Sequence, residues 1–292
     1  MTVLDVIQRS TEFLEKKGVE SPRLQAELLL ADLLKVRRMQ LYLNFERTLT
    51  KAELDAFREM VRRRGEREPL QYIVGNTCFC GLEINVNSHV LIPRPETELL
   101  AEQGWTFLSG LVTQKSGPPN SPQAAALDFG TGSGCLAIAL ASKCQNLRID
   151  ALDVSAEALV VAGKNAENHG LRERIHFTQA NTLSVFQQSK FDLIISNPPY
   201  IPTKEIETLQ PEVRNFEPHA ALDGGADGLD YFRQLAHEAE YFLTPGGRLM
   251  LEFGDGQGEA IGKIFESEKW IVESIQHDYN HRPRIITVLR NK

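Results

Sequence analysis

The chain has 292 residues, of which 42% are hydrophobic and 24% charged, the composition of an ordinary soluble globular protein. This length predicts about two domains at the usual size of roughly 150 residues each. The formal net charge of −7 argues against broad, phosphate-driven binding to nucleic acids. No apolar run in the sequence reaches the roughly 18 residues of a membrane span, and the start lacks a signal peptide's apolar core. We therefore expect a cytoplasmic protein.

The first 65 or so residues have the pattern of helices. Ser21 stands at an N-cap position with Pro22 in the first helical position. Thr50 and Glu53 have the spacing of a capping box before a second apolar stripe. This part of the chain is therefore predicted to form a helical module.

The charge of this module differs from that of the remainder. Residues 1–75 hold 14 Lys and Arg against 12 Asp and Glu, or +2, which leaves −9 for the rest. The run "VRRRGERE" at residues 61–68 concentrates four arginines. Such a run is most often a solvated helix end, and a contact surface for an acidic partner is the alternative.

The next segment changes composition. Residues 70–92 become β-rich and are broken at Gly75 and Gly81, which predicts a hairpin. A helix is then expected to start at Pro95, with two acidic residues in its first turn where the helix dipole favours them. Residues 113–123, "TQKSGPPNSPQ", have the composition of a linker.

From residue 124 the pattern alternates strands and helices and ends in two neighbouring strands. This alternation predicts an α/β fold with a mostly parallel sheet covered by helices on both faces. The two final strands predict an antiparallel edge. In such sheets the ligand lies beyond the carboxyl ends of the strands.

A Gly-rich turn follows the first of these strands, in "LDFGTGSGCLAIAL". Gly130, Gly132 and Gly134 permit positive φ and let a ligand approach the backbone closely. The spacing departs from the dinucleotide fingerprint, which has its third glycine one residue later. Asp153 closes the next strand, where a carboxylate suits a bidentate hold on two ribose hydroxyls. Together these features predict an adenosine-type ligand.

The third strand of the series, in "RIHFTQAN", ends in polar residues. Asn181 and Thr182 are placed to meet an adenine edge. An ordinary strand-terminating polar turn explains the same two residues equally well.

The fourth strand ends in "SNPPYIP", a stiff turn with few hydrogen-bond donors. Asn197 offers an acceptor oxygen, and Pro198 leaves a carbonyl pointing in a fixed direction. Two acceptors held in this way suit the two hydrogens of a planar NH₂ group, and Tyr200 adds a flat face for an amide or base. A rigid strand-ending turn is the simpler interpretation of the tetrapeptide alone. Beside the Gly-rich turn, we expect a site that holds an sp² amino group in line with an electrophile.

In this order on an α/β chain, "DFGTGSG", Asp153 and "NPPY" resemble class I S-adenosylmethionine-dependent methyltransferases that act on a planar nitrogen. The segments "REPLQYIVG", "LIPRPETE" and "LEFGDGQGEAI" and the helical N-terminal module narrow the match. The chain resembles, over nearly its whole length, the HemK/PrmC-type glutamine methyltransferases of peptide chain release factors.

That resemblance implies a seven-stranded Rossmann-like sheet with an antiparallel edge strand, and a small N-terminal helical domain joined by a β-hairpin. It implies methyl transfer from S-adenosyl-L-methionine to the side-chain amide nitrogen of the glutamine in the release factor's Gly-Gly-Gln motif. The product is S-adenosyl-L-homocysteine. No metal is expected.

The resemblance also implies roles for individual residues. The residues expected at the reacting amide are Asn197, Pro198, Pro199 and Tyr200. Those expected at the cofactor are Gly130, Thr131, Gly132, Ser133, Gly134, Asp153, Asn181, Thr182 and Asn197. The family usually carries an Asp followed by a bulky residue where this chain has Asn181 and Thr182. Arg94 and Glu98 match the family's "RPxTE" pattern and are expected to organise the pocket wall or the domain junction.

For the domains we expect a substrate-recognition domain at 1–68, a hairpin connector at 69–92 and a methyltransferase domain at 93–292. The expected partner is a release factor, and we expect a monomer with no membrane and no stable nucleic-acid binding. The main alternative is a nucleic-acid adenine or guanine amino-methyltransferase, which "NPPY" would serve equally well. The acidic charge and the lack of a large target-recognition region disfavour it. A third alternative is a non-catalytic cofactor-binding or scaffold protein that uses its N-terminal helices for protein contacts, and the intact tetrapeptide disfavours it.

Overall fold

The computed structural model describes residues 1–114 and 123–290. The helices, in chain order, are α1 (Val3–Lys16), α2 (Pro22–Leu33), α3 (Arg38–Tyr42), α4 (Lys51–Gly65), α5 (Leu70–Val74), α6 (Pro95–Gln114), α7 (Cys135–Lys143), α8 (Ala156–Asn168), α9 (Pro211–Phe216), α10 (Asp230–Glu238) and α11 (Gly258–Ser267). The strands are β1 (Asn76–Phe79), β2 (Leu82–Asn85), β3 (Ala124–Phe129), β4 (Leu147–Asp153), β5 (Ile175–Gln179), β6 (Phe191–Ser196), β7 (Leu243–Glu252), β8 (Trp270–His277) and β9 (Pro283–Arg290). Within the described ranges, none of the helices has the length and apolar character needed to cross a membrane.

The chain divides into two compact units. Their ranges are Met1–Asn76 with Leu209–Phe216 for the first, and Thr77–Thr208 with Glu217–Lys292 for the second. The sequence pattern did not indicate that the distant segment 209–216, which carries α9, groups with the N-terminal helices. The domain bounds at residues 68 and 92 stay a prediction.

The first unit is helical, as predicted. The Thr50–Glu53 capping box is present at the start of α4, with Glu53 N–H donating to Thr50 Oγ1 at 3.3 Å. Ser21 does precede Pro22 at the start of α2, but its backbone is left-handed (φ 49°) and its side chain makes no capping hydrogen bond. The apolar faces of α1, α2 and α4 meet in a core that includes Ile7, Leu14, Leu29, Leu30 and Phe57.

In the segment that follows the core of the first unit, the structure differs from two of the predicted element boundaries. Strands β1 and β2 form the predicted two-stranded hairpin. However, residues Leu70–Val74 form helix α5 and not the start of the β-rich stretch, because Leu70, Ile73 and Val74 pack at helical spacing against the core of the first unit. Gly75 ends this helix at φ 89°. Helix α6 continues to Gln114, so it includes the first two residues of the predicted linker at 113–123. Residues 115–122 of that linker lie outside the described residues.

The second unit is built on a seven-stranded sheet with the order β5-β4-β3-β6-β7-β9-β8. The first five strands of this order, β5, β4, β3, β6 and β7, pair in parallel. Strand β9 lies between β7 and the edge strand β8 and pairs with both in antiparallel fashion. The predicted α/β fold with an antiparallel edge pairing is therefore confirmed. All six residues of β6 are buried, as expected for a central strand covered on both faces.

The strand order indicates where on this sheet a ligand is expected to bind. From β3 the chain moves outward through β4 and β5, and it then returns to the other side of β3 to form β6 and β7. The order therefore reverses between β3 and β6. Ligands of open parallel sheets bind in the crevice beyond the carboxyl ends of the strands at such a reversal.

Candidate active site

A cavity of about 380 Å³ lies at this edge of the sheet, within the usual size range of small-molecule sites. Each of four neighbouring strands delivers residues to its wall. The predicted site residues that line it are Gly130 and Gly132 after β3, Asp153 at the end of β4, Asn181 after β5, and Asn197 and Pro199 after β6. Residues from 130 to 199 are thus brought together because parallel strands end at the same edge.

The Gly-rich turn and Asp153 are locked together. One carboxylate oxygen of Asp153 accepts the backbone N–H of Gly132 at 2.8 Å, and the other accepts that of Ser155 at 2.9 Å. Gly132 has φ of +54°, a conformation that side chains with a Cβ rarely adopt. Each carboxylate oxygen keeps further acceptor capacity, since an ionised carboxylate offers about four lone-pair sites. The geometry fits two ribose hydroxyls.

The remaining wall of the cavity is largely apolar. Phe129, Leu152, Val154 and Tyr231 are among its lining residues. The rings of Phe129 and Tyr231 meet edge to face, with centroids 6.4 Å apart. An apolar wall beside a carboxylate is the environment that a nucleoside needs, with its base against the wall and its sugar at the acid. The residues present therefore fit an adenosine-type ligand.

Several predicted residues do not line the cavity. Thr131 turns inward, and its hydroxyl donates to Asp128 at 2.6 Å. Gly134 lies against helix α8, and the hydroxyl of Thr182 meets that of Ser184 at 2.6 Å. The other residues absent from the lining are Ser133, Pro198 and Tyr200.

Tyr200 packs against the hydrophobic core of the second unit. Burial raises the pKa of its phenol above the usual range.

The amide of Asn197 is held by a chain of two hydrogen bonds that the sequence did not reveal. Its Nδ2 donates to the hydroxyl of Thr97 at 3.0 Å, and that hydroxyl donates to a carboxylate oxygen of Glu252 at 2.7 Å. Thr97 is 2% and Glu252 1% exposed. This chain leaves the carbonyl oxygen as the acceptor that Asn197 offers to a ligand.

Glu252 ends β7, and Thr97 lies in the first turn of α6. Burial raises the pKa of Glu252 to about 7, although the hydrogen bond from Thr97 favours the ionised form. Both residues lie in segments that carried the family resemblance, "LIPRPETE" and "LEFGDGQGEAI". The available signal was an acid that closes a buried strand, the same pattern that singled out Asp153.

Arg94 and Glu98 brace the surroundings of the cavity. The guanidinium of Arg94 donates to both carboxylate oxygens of Glu217, at 2.7 and 2.9 Å, and the next residue, Pro218, lines the cavity. A carboxylate oxygen of Glu98 accepts the backbone N–H of Cys80, in the hairpin, at 2.7 Å. Arg94 therefore supports the cavity wall, whereas Glu98 supports the hairpin.

The Asn-Pro-Pro-Tyr turn is also fixed from outside by backbone contacts. Gly224 N–H donates to the carbonyl of Ile201 at 2.9 Å, and the side chain of Gln257 donates to the carbonyl of Tyr200 at 2.8 Å. A Cβ on Gly224 would lie 2.8 Å from the Pro199 oxygen, so only glycine allows this approach. The turn is thus a rigid platform.

Comparison with known proteins agrees with this fold. Residues 5–75 match the family described as the PrmC N-terminal domain, and residues 110–212 match the methyltransferase small domain. A solved methyltransferase structure from Pyrococcus furiosus superposes with a TM-score of 0.50 at 20% identity, covering 72% of this chain and 89% of that one. The sheet and the match to the methyltransferase small domain are those of a Rossmann-like methyltransferase.

Two relatives narrow the class. The release factor glutamine methyltransferase of Geobacter sulfurreducens is 44% identical over 265 residues, which covers 90% of this chain and 88% of the relative. That of Chlorobaculum tepidum is 42% identical over 291 residues, with 97% and 95% covered. The chain belongs to the family of release factor glutamine methyltransferases, which confirms the family predicted from the sequence.

Proposed function

We propose that this chain transfers the methyl group of S-adenosyl-L-methionine to the side-chain amide nitrogen of the glutamine in a release factor's Gly-Gly-Gln motif. The observation that carries the proposal is the Asn197 amide, anchored through Nδ2 to Thr97 at the carboxyl end of β6. A site with an oriented carbonyl acceptor suits a substrate that presents an NH₂ group. A glutamine side chain presents such a group.

On the cofactor side, Asp153 would hold the ribose hydroxyls and the turn from Gly130 to Gly134 would follow the methionine part. Asn181, which lines the cavity, is proposed at the adenine, with Thr182 beside it in the sequence. The cofactor supplies an electrophilic methyl group on a sulfonium. The apolar wall of the cavity would limit the access of water to that carbon.

On the substrate side, the carbonyl oxygens of Asn197 and Pro198 would accept the two amide hydrogens of the glutamine. Pro199, which lines the cavity, would shape the slot around the plane of that amide, and Tyr200 would support the turn from the hydrophobic core. Held in this way, the nitrogen would direct its weakly nucleophilic lone pair towards the methyl group of a bound cofactor. An N–C bond would form as the C–S bond of the cofactor breaks, and the nitrogen would then lose one proton. Positioning alone can contribute about 7–11 kcal/mol in well-oriented systems.

The arginine run at residues 61–68 gives little support to the nucleic-acid alternative. Arg62 pairs with Glu59 and Glu66, and Arg63 pairs with Glu68. The guanidiniums of Arg64 and Arg67 both pair with the carboxylate of Glu212, at 2.8 and 2.6 Å. Cations already neutralised within their own unit contribute less to phosphate binding.

We further propose that the N-terminal helical module, residues 1–68, recognises the body of the release factor, while residues 93–292 carry out the transfer. A substrate from the translation machinery places the reaction in the cytoplasm. The enzyme is proposed to act as a monomer.

The test uses methyl-labelled S-adenosylmethionine with three acceptors in parallel: a release factor, its Gly-Gly-Ala variant, and duplex DNA. We expect label on the intact release factor and on neither of the others. Label on DNA alone would transfer the substrate to the nucleic-acid alternative. Equal label on the Gly-Gly-Ala variant would show that the glutamine is not the acceptor.

A further inference from the structure

We propose that Glu252, acting through the hydroxyl of Thr97, is a positioning residue that sets which way round the Asn197 amide lies. The two hydrogen bonds that join Glu252, Thr97 and Asn197 then make methyl transfer depend on the ionisation of Glu252. This inference rests on the proposed function, because it assumes that a substrate NH₂ group must meet the oxygen of Asn197. It adds two residues, one from α6 and one from β7, to the groups that decide the rate.

The direction of the two hydrogen bonds follows from which groups can donate a hydrogen. An ionised carboxylate only accepts, so the Thr97 hydrogen goes to Glu252 and the Thr97 oxygen accepts from Asn197 Nδ2. The amide oxygen is then left for the substrate. A protonated Glu252 can donate instead, in which case the Thr97 hydrogen turns towards Asn197 and the amide rotates by half a turn. The NH₂ group of Asn197 would then face the NH₂ group of the substrate, donor against donor.

The ionisation of Glu252, and not its charged neighbours, decides the direction of these hydrogen bonds. The charged or titratable groups that face it are Arg94 and Glu96 at the start of α6, Tyr200 after β6, and Arg284 on β9. Both arginines are engaged elsewhere. Arg94 is held by Glu217, while Arg284 is bonded to the carboxylate of Asp278 and to the carbonyl of Phe253.

Burial therefore dominates the ionisation of Glu252 and places its pKa at about 7. Both the protonated and the ionised form of Glu252 are therefore populated in the pH range in which enzymes work. The fraction of Asn197 in the productive orientation should rise with pH through that value.

The first experiment measures kcat against pH with saturating cofactor and a release factor. For the wild type we expect kcat to fall on the acid side, with an apparent pKa near 7. For Glu252→Gln we expect that acid limb to disappear. Asp128 is a second fully buried carboxyl whose pKa burial raises to about 7, so Asp128→Asn is the necessary control and should keep the limb.

Two substitutions at Thr97 distinguish the effect of its hydroxyl from the effect of its packing. Thr97→Val keeps the shape but removes the hydroxyl, and we expect kcat to fall about 10-fold or more while cofactor affinity holds. Thr97→Ser restores the hydroxyl and should recover most of the rate. Thr106→Val, on the exposed face of the same helix, controls for the substitution itself.

A second readout needs no substrate. The side-chain NH₂ resonances of Asn197, assigned by their loss in Asn197→Asp, are followed by NMR from acid to alkaline pH. We expect them to titrate near pH 7 in the wild type and to lose that step in Glu252→Gln. If the step appears but no release factor is methylated, the proposed function fails, while the control of the Asn197 amide orientation by Glu252 stands. If the wild type methylates and Glu252→Gln keeps both the step and the acid limb, the inference is overturned alone.

Discussion

Replacing Glu252 by Gln should change how the stability of the protein depends on pH. Glu252 is 1% exposed, and burial raises the pKa of its carboxyl from 4.5 to about 7. A group whose pKa is raised on folding stabilises the fold fully below its unfolded pKa. That contribution is lost as pH rises through the folded pKa, because the unfolded chain then gives up the proton more easily than the folded one.

The magnitude follows from the two pKa values. A difference of about 2.5 pH units corresponds to roughly 3 kcal/mol between the acid limit and the alkaline limit. Of this, about 2 kcal/mol should be lost between about pH 5.5 and about pH 8.5, the window in which the folded carboxyl ionises. A glutamine at the same position does not titrate. The wild type should therefore lose about 2 kcal/mol relative to Glu252→Gln across this window.

The assay is urea denaturation of both proteins at several pH values, with the free energy of unfolding extrapolated to water. Other carboxyls, Asp128 among them, are common to both proteins and cancel in the difference. Glu266→Gln, an exposed acid on α11, serves as the control and should follow the wild type. If the wild-type and Glu252→Gln curves run parallel over the whole window, Glu252 does not titrate there and the reasoning about its ionisation fails.

Three further predictions concern other parts of the structure. Asp153→Ala should weaken cofactor binding by calorimetry about 10-fold or more, since it removes a charged acceptor that also fixes the Gly-rich turn; unchanged affinity would remove the ribose role. Gly224→Ala should lower kcat by displacing the carbonyl of Pro199, whereas Gly262→Ala, which meets nothing within 4 Å, should not; similar rates for both would contradict a rigid turn. Glu212→Gln should destabilise the N-terminal unit by about 3 kcal/mol in urea denaturation, because it leaves the buried guanidinium of Arg64 without its carboxylate; an unchanged midpoint would refute this.

The strand-end residues could be predicted because their signals are local. A buried apolar run that stops at Asp153 or at Asn197 shows both the strand and the polar group beyond it. The rule that parallel strands end at one edge then brings such residues together without knowledge of the packing. The cavity accordingly collects Gly130, Gly132, Asp153, Asn181 and Asn197.

The partners of those residues could not be predicted in the same way. Thr97 and Glu252 are separated by 155 positions and meet only because the first turn of α6 lies beside the end of β7. Grouping of residues 209–216 with the N-terminal helices is likewise a tertiary effect that no local pattern reports. Residues Leu70–Val74 became a helix because burial of one face overrode a β-rich composition. In each case the deciding contacts are distant in sequence.

Peptide mass spectrometry of a release factor, after reaction with the wild type and with Asn197→Ala, tests the central claim most directly. We expect the wild type to add the mass of one CH₂ to the glutamine of the Gly-Gly-Gln peptide. Asn197→Ala should do so about 100-fold more slowly, since losing a hydrogen bond made in the transition state typically costs about 3 kcal/mol. A methyl group found on another residue, or equal rates for the two proteins, would contradict the assignment of Asn197 to the glutamine amide.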